Sequence, residues 1–163
     1  MTESNRTIYI HYGNNEYNKY ISNPISNLWP FPMTKPHGGF WGSPVNAKYG
    51  WKDWCKDEDY RTCDEADSFK FVMRNERLVA KINSLEKLYL LPRLPDSGFS
   101  LNIFDRYYID FEKCLELGLD AIEVSISGDP RLQEALYSWD CDSILVLNPE
   151  AVIQINSQNL QGL

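Results

Sequence analysis

The sequence predicts an α+β fold in a single domain. Strand-like and helix-like segments alternate irregularly, without the repeated strand–helix–strand units of a doubly wound sheet. Segment 143–147 is apolar throughout its centre, which is typical of a strand buried on both faces. A chain of 163 residues, 43% of them hydrophobic, is long enough to form one core. We therefore expect one domain over residues 1–163, with flexible ends at about 1–6 and 157–163.

The first third of the chain is expected to hold two strands and a helix. Residues 7–11 alternate β-branched and aromatic side chains ahead of a turn, which favours a strand. Five prolines and three glycines between residues 23 and 44 predict an ordered loop, which packs through its aromatic residues and ends in a short strand over 40–42. Apolar residues at helical spacing predict a helix over 45–60, and its acidic continuation over 53–67 is typical of a solvated face.

The rest of the chain alternates short strands and helices. Alternating apolar residues predict a hairpin over 68–82 with a turn at Asn75. Ser84 and Asp110 are suitable N-caps for two helices, and Gly118 is suited to end the second of them. We expect helices over 84–91, 111–117 and 132–137, and strands over 121–126 and 143–147.

Composition and charge exclude several functions. The formal net charge of −7 disfavours broad electrostatic binding to DNA or RNA, so only a local basic cleft is left for such a ligand. No apolar run reaches the roughly 20 residues of a membrane span, and no apolar stretch follows the polar start as in a secretion signal. We expect a cytoplasmic protein with no membrane partner.

The four cysteines are most simply reduced thiols, because their spacing is irregular and contains no Cys-x-x-Cys pair. A zinc site built from His11, His37, Cys55 and Cys63 is conceivable from ligand type alone. The same irregular spacing argues against it, and we expect no metal.

Two segments near the start carry candidate functional side chains. His11 ends the first strand beside a turn that contains Gly13, where an imidazole can titrate near neutral pH, although a lone histidine there is more often structural. In segment 35–44, paired glycines allow close backbone approach, and Trp41 offers a flat face for stacking on a planar ring. The alternative for this segment is a tight turn into a core tryptophan.

A third segment, 139–150, places two carboxylates before a strand that must be buried. Desolvation and mutual repulsion in such a place give acids functional pKa values. The alternative is a turn closed by aspartate side chains that bond the backbone, which fits Asp140 better than Asp142. Asp142 is therefore the first candidate for chemistry.

In this order the segments resemble the ADP-ribosyltransferase superfamily, in particular the branch with a histidine in the first strand, to which the poly-ADP-ribose polymerases belong. Residues 8–13 are similar to the aliphatic-aromatic His-Gly phrase of that branch, with one residue inserted before the glycine. Residues 38–43 resemble its glycine-rich phrase before a helix. Residues 118–122 and 142–152 take the places of a late Gly-Tyr-Asp-Gly-Val-type strand and of an acid leading into the strand that ends in Asn/Asp-Pro-Glu.

The resemblance implies a fold of split antiparallel β-sheets with flanking short helices. It also implies a mono-ADP-ribosyltransferase, a glycosyltransferase-class toxin or effector that needs no metal. NAD would be the substrate, cleaved at the nicotinamide–ribose bond, and ADP-ribose would pass to a protein or nucleic-acid acceptor. An inhibitor or antitoxin is a further partner that the resemblance implies. Either the loop over 23–36 or the loop over 92–100 would shape the acceptor side.

By the same resemblance, Asp142 would orient the ribose hydroxyls and offset the positive charge of the sugar transition state. His11 would bond a ribose hydroxyl, and Trp41 would stack on nicotinamide. The implied cofactor-binding residues are Tyr12 and Gly13, whose backbone would hold the carboxamide, together with Gly39, Phe40, Ser43 and Asp140.

Two alternatives stay open. The family acid is usually Glu and its aromatic residue usually Tyr, where this chain has Asp142 and Trp41. A non-catalytic binding or inhibitor protein would keep the fold, with the shorter Asp142 merely capping a strand. A hydrolase of NAD or of ADP-ribose linkages would use water as the acceptor.

Overall fold

Seven strands form one mixed β-sheet in the computed structural model, which describes residues 6–27, 33–95 and 106–156. The strands are β1 (Tyr9–Tyr12), β2 (Phe40–Pro44), β3 (Ser68–Met73), β4 (Val79–Ile82), β5 (Ala121–Val124), β6 (Ser143–Val146) and β7 (Val152–Ile155). Their order across the sheet is β4-β5-β6-β2-β1-β3-β7, and β4–β5 is parallel while the other neighbours are antiparallel. The predicted α+β class is confirmed. The strands are connected through β2 into one sheet, where the resemblance implied two antiparallel ones.

The helices of the described ranges are short. The α-helices are α1 (Trp51–Asp57), α2 (Leu85–Leu88), α3 (Phe111–Glu116) and α4 (Pro130–Ala135). Single 3-10 turns lie at Lys19–Ile21, Glu65–Asp67, Glu76–Leu78, Ile126–Gly128 and Pro149–Ala151. None of the helices in the described ranges combines the length and the apolar character that crossing a bilayer requires.

Local capping sets where the helices begin. The Ser84 hydroxyl accepts a hydrogen bond from the Lys87 N–H at 3.3 Å, and the Asp110 carboxylate accepts one from the Lys113 N–H at 2.9 Å. Gly118 follows α3 with a φ of 89°, a left-handed conformation that glycine adopts without strain. Both predicted N-caps and the predicted glycine terminator are thus confirmed.

Helix α1 is shorter than the predicted helix over 45–60. Gly50 is its N-cap, with an extended backbone, and the Asp53 carboxylate accepts the Gly50 N–H at 2.9 Å. Before it, the Ala47 N–H donates to the Pro44 carbonyl at 3.0 Å, which closes a turn. The apolar spacing of 45–50 therefore belongs to a turn, because the cap at Gly50 fixes a later helix start.

The predicted hairpin over 68–82 is wrong. Strand β3 pairs with β1 and β7, whereas β4 lies at the opposite edge of the sheet and pairs with β5. The Asn75 side chain accepts the Arg77 N–H at 3.1 Å and opens a 3-10 turn in place of a hairpin turn. Just before the paired strands β4 and β5 begin, the Asp120 N–H donates to the Leu78 carbonyl at 2.9 Å.

The core lies on both faces of β5 and β6. One cluster contains Ile122 and Leu145 and is completed by side chains from α2, α3 and α4. The other contains Ala121 and Ile144 and packs with the aromatic side chains of β1 and β3. All four residues of β6 are buried, which confirms the prediction of a strand covered on both faces.

Some expectations fall outside the described residues. These are the flexible ends, apart from residue 6, the part of the first loop that holds Trp29 and Phe31, and residues 96–100 of the loop 92–100.

Candidate functional site

A cavity of about 250 Å³ lies where the end of β1, the middle of β2 and the start of β6 meet. These segments meet because β2 pairs with β1 on one side and with β6 on the other. Several predicted site residues line this cavity. They are His11, Tyr12, Trp41, Ser43 and Asp140.

His11 lines the cavity, and each of its ring nitrogens has a partner within the protein. Its Nδ1–H donates to the Trp41 carbonyl at 2.6 Å, and Nε2 lies 3.4 Å from the Asn14 side-chain nitrogen. Burial lowers the pKa of His11, and the nearby Arg61 charge lowers it further, against the opposing effect of the bond to Trp41. The imidazole is therefore neutral at pH 7, with Nε2 as a hydrogen-bond acceptor.

Trp41 forms a half-buried wall of the cavity. Its ring meets that of Trp139 edge to face, with centroids 4.7 Å apart, and the Trp139 indole N–H donates to the Thr34 carbonyl at 2.7 Å. The Lys35 ammonium lies 5.5 Å from the Trp41 ring centroid. Because Trp139 is anchored and buried, it holds the Trp41 ring in place as a rigid flat surface.

The hydroxyl and thiol groups of the cavity are mostly committed to the protein. The Ser43 hydroxyl accepts the Trp51 N–H at 2.9 Å, and the Ser143 hydroxyl donates to the Cys141 carbonyl at 2.9 Å. Burial raises the pKa of the Cys141 thiol to about 11. This thiol is therefore protonated at neutral pH and is a poor nucleophile.

Asp140 and Lys35 form an ion pair in the cavity wall, with 3.1 Å between the ammonium and the carboxylate. Each side chain is 35% exposed, so solvent screens the pair and its contribution to stability is small. A partly exposed carboxylate can change partners when a ligand arrives. Asp140 is the one carboxylate that the described residues supply to this wall.

Asp142 does not line the cavity, although its neighbours Cys141 and Ser143 do. Its carboxylate accepts three hydrogen bonds, from the Ser127 N–H at 2.9 Å, the Ser127 hydroxyl at 2.7 Å and the Tyr49 N–H at 3.3 Å. The residue is buried, and its own N–H donates to the Tyr49 carbonyl at 2.8 Å. Asp142 thus anchors the segment that carries Cys141 and Ser143, and it lies outside the cavity that these two residues line.

Three other predicted cofactor-binding residues also lie outside the wall. The Gly13 N–H donates to the Asp67 carbonyl at 2.8 Å and so is not free for a carboxamide. Gly39 has a φ of 68°, and a Cβ there would lie 2.8 Å from Ile25, Leu145 and the Val146 carbonyl. Phe40 is buried in the aromatic core. These positions are occupied by structural contacts.

Arg61, which follows α1, lines the cavity and was not predicted. Its side chain is exposed, and no carboxylate of the described residues lies within salt-bridge distance of it. The acidic run 53–67 was expected to be a solvated face, and one arginine inside such a run gives no signal of a site. Lys35, Trp51, Cys141 and Ser143 are further lining residues to which sequence reasoning assigned no role.

The four cysteines are free and buried, as expected for reduced thiols. Within the described ranges, no group of three or more His, Cys, Asp or Glu side chains is arranged to hold a metal ion. The set His11, His37, Cys55 and Cys63 is therefore not assembled into a zinc site.

Comparisons of the chain with protein-family models, with curated proteins and with solved structures find no match.

Proposed function

We propose that this protein is a mono-ADP-ribosyltransferase on an ADP-ribosyltransferase-type fold, which cleaves NAD at the nicotinamide–ribose bond and passes ADP-ribose to a protein or nucleic acid. One observation carries the proposal. His11, Trp41 and Asp140 come from three remote segments of the chain, and all three line one cavity. The resemblance gives roles to His11 and Trp41, and it puts the acid at Asp142, two residues after Asp140.

The cavity suits one half of the dinucleotide. Its volume of about 250 Å³ is slightly below the roughly 300 Å³ at which small-molecule pockets commonly begin. The nicotinamide ring would stack on Trp41, which Trp139 holds rigid. The attached ribose would lie between His11 and Asp140, and the remainder of NAD would extend out of the cavity.

The side chains of this chain would act on the sugar as it becomes positively charged. In the reaction the bond between nicotinamide nitrogen and the ribose carbon breaks and nicotinamide leaves with the electron pair. The acceptor forms a new bond to that carbon and releases a proton to solvent. Asp140 would offset the developing charge, because a carboxylate stabilises a nearby cation more strongly once the bound ligand has displaced water. Nε2 of neutral His11 would accept a hydrogen bond from a ribose hydroxyl, in place of its 3.4 Å contact with the exposed Asn14 side chain, and would hold the sugar.

The proposal assigns the acid role to Asp140 and a positioning role to Asp142. The three hydrogen bonds to Asp142 use its carboxylate oxygens inside the protein. Asp140 has one cationic partner, Lys35, and keeps about a third of its surface exposed. Ligand contact is therefore open to Asp140 and closed to Asp142.

A second candidate is a protein that binds the nucleotide without cleaving it. The observation in its favour is the ion pair between Lys35 and Asp140, which already neutralises the carboxylate that would stabilise the sugar cation. In this case the cavity would recognise the ligand, and nicotinamide would not be released.

Incubation with NAD labelled in its adenylate half, in the presence of candidate protein and nucleic-acid acceptors, tests the proposal. We expect nicotinamide release and transfer of label to a macromolecule. Release of free ADP-ribose alone would identify a hydrolase, and NAD binding without turnover would identify the binding protein.

Three variants assign the acid. Asp140→Asn should lower turnover roughly a hundredfold or more, on the scale of losing one electrostatic contact to a transition state. Glu134→Gln changes an exposed carboxylate outside the cavity and is the matched control. Asp142→Asn should retain turnover in whatever fraction remains folded. Full turnover in Asp140→Asn with none in folded Asp142→Asn would reverse the assignment.

A further inference from the structure

The positive and negative side chains that line the cavity do not cancel. Lys35 is neutralised by Asp140, with 3.1 Å between their charged atoms. Burial lowers the pKa of His11, so the imidazole adds no charge at pH 7. Arg61 has no carboxylate within salt-bridge distance in the described part of the chain. The cavity therefore carries one net positive charge, in a protein whose formal net charge is −7.

This positive charge lies at the end of β1. The two terminal nitrogens of Arg61 lie 3.6 and 3.7 Å from the point that a Cβ on Gly13 would occupy. Gly13 has a φ of 109°, which favours glycine, and the guanidinium lies within van der Waals distance of this turn. Arg61 lines the cavity and is exposed, so a ligand can reach it from solvent.

The cavity has room for the ring and the sugar of a nucleotide, but not for the charged groups that follow them. About 250 Å³ accommodates a planar ring and a sugar, and the groups that follow the sugar must lie at the mouth. In a nucleotide, the group that follows the sugar is phosphate. A guanidinium matches phosphate because its planar fork donates two parallel hydrogen bonds to two oxygens.

We propose that Arg61 binds the phosphate attached to the sugar of a nucleotide whose ring stacks on Trp41. The ligand class is thus a 5′-phosphorylated nucleoside with a small planar base. The choice of nicotinamide as that base rests on the proposed function, whereas the phosphate contact requires binding alone and no turnover.

A matched pair of ligands isolates the phosphate. Nicotinamide riboside and nicotinamide mononucleotide share the base and the sugar and differ by one phosphate. Calorimetric titration of the full chain should show roughly tenfold or more tighter binding of the mononucleotide, the scale of hydrogen bonds to a charged group. Arg61→Gln should remove this preference and should not weaken binding of the riboside, a cation that has no phosphate for Arg61 to contact.

Two further variants control for charge and for geometry. Arg77→Gln removes an exposed arginine outside the cavity and should preserve the preference. Arg61→Lys should keep part of it, because lysine retains the charge without the two-pronged donor geometry. Equal weakening of both ligands in Arg61→Gln would show a structural role for Arg61 and overturn the inference.

The remaining outcomes separate the phosphate contact from the proposed reaction. Absence of any preference in the wild type would overturn the inference, even if NAD is turned over. A preference that depends on Arg61, in a protein that releases no nicotinamide, would support the inference and contradict the transferase. Inorganic phosphate that binds as tightly as the mononucleotide would indicate a free-phosphate site and overturn the nucleotide assignment.

Discussion

Two regions around the cavity hold their polar groups in different ways. In the first, which we call the rim, Lys35, Arg61 and Asp140 are at least partly exposed, and Arg61 has no carboxylate partner among the described residues. In the second, which we call the support, Ser43 and Asp142 are buried and accept hydrogen bonds from backbone N–H groups. The rim can exchange partners with a ligand, whereas the support cannot do so without losing bonds that hold the wall.

Ligand binding and stability can be changed separately in these two regions. A buried carboxylate with satisfied hydrogen bonds fixes geometry, and its loss leaves donors unpaired in the interior. A half-exposed ion pair contributes little to stability, because solvent screens it. Variants of the support should therefore lower the free energy of unfolding, and variants of the rim should change binding in a protein of nearly unchanged stability.

The largest expected effect comes from the loop that precedes β2, the strand that carries Trp41 and Ser43. Gly38 has a φ of 80°, and a Cβ there would lie 2.1 Å from the Pro24 carbonyl oxygen. Gly38→Ala should lower the free energy of unfolding by about 3 kcal/mol or more, since left-handed strain and overpacking add. Urea denaturation measures the change.

The matched control for this prediction is Gly118→Ala. Gly118 has a similar φ of 89°, but nothing lies within 4 Å of the added Cβ. Only the backbone strain applies, at about 1–2 kcal/mol. Equal losses in the two variants would mean that the loop before β2 yields to the added methyl group and does not hold the wall rigidly.

Asp142→Ala has the next largest expected effect. The substitution leaves the N–H groups of Ser127 and Tyr49 without their carboxylate partner and should cost about 2–3 kcal/mol. Asp140→Ala removes a screened pair with Lys35 and should cost less than about 1 kcal/mol. The same denaturation experiment compares them. A larger loss in Asp140→Ala than in Asp142→Ala would invert the distinction between rim and support.

The sequence predicted this distinction in part. His11 and Trp41 were predicted to lie near a ligand, and both line the cavity. They lie on paired strands, so local pattern and strand pairing bring them together. Asp142 was chosen over Asp140 because a turn closed by an aspartate side chain fitted Asp140 better. The Asp142 carboxylate is indeed buried, but three hydrogen bonds from Ser127 and Tyr49 compensate for the lost water. These residues are 15 and 93 positions away in sequence.

The fold was predictable where the signals are local and missed where they are long-range. The caps at Ser84 and Asp110 require three neighbouring residues, and both form as expected. The partner of β4 depends on β5, which begins 39 residues after the end of β4. The residues of 79–82 indicate a strand but not which strand pairs with it. The adjacent β3 was therefore predicted as the partner of β4, and this prediction is wrong. Arg61 was missed for the same reason, since only the folded chain brings it beside Gly13.

The smallest expected effect concerns the response of stability to pH at His11, which lies between the rim and the support. Burial lowers the pKa of His11 in the folded protein below the value of about 6.5 for an unfolded chain. Between those two pKa values the unfolded chain binds more protons, so the free energy of unfolding decreases as pH falls through about 6.5. Above that pH, His11 makes the free energy of unfolding neither rise nor fall with pH.

Denaturation of His11→Gln over pH 5 to 8 isolates this contribution, because other titrating groups are shared with the wild type. The unfolding free energy of the wild type, measured relative to that of His11→Gln, should decrease as pH falls. His37→Gln, which removes an exposed histidine, should follow the wild type. Arg61→Gln should weaken the His11 response only slightly, since the guanidinium is a smaller cause of the lowered pKa than burial. A response abolished by Arg61→Gln would show that the rim charge, and not burial, keeps His11 neutral.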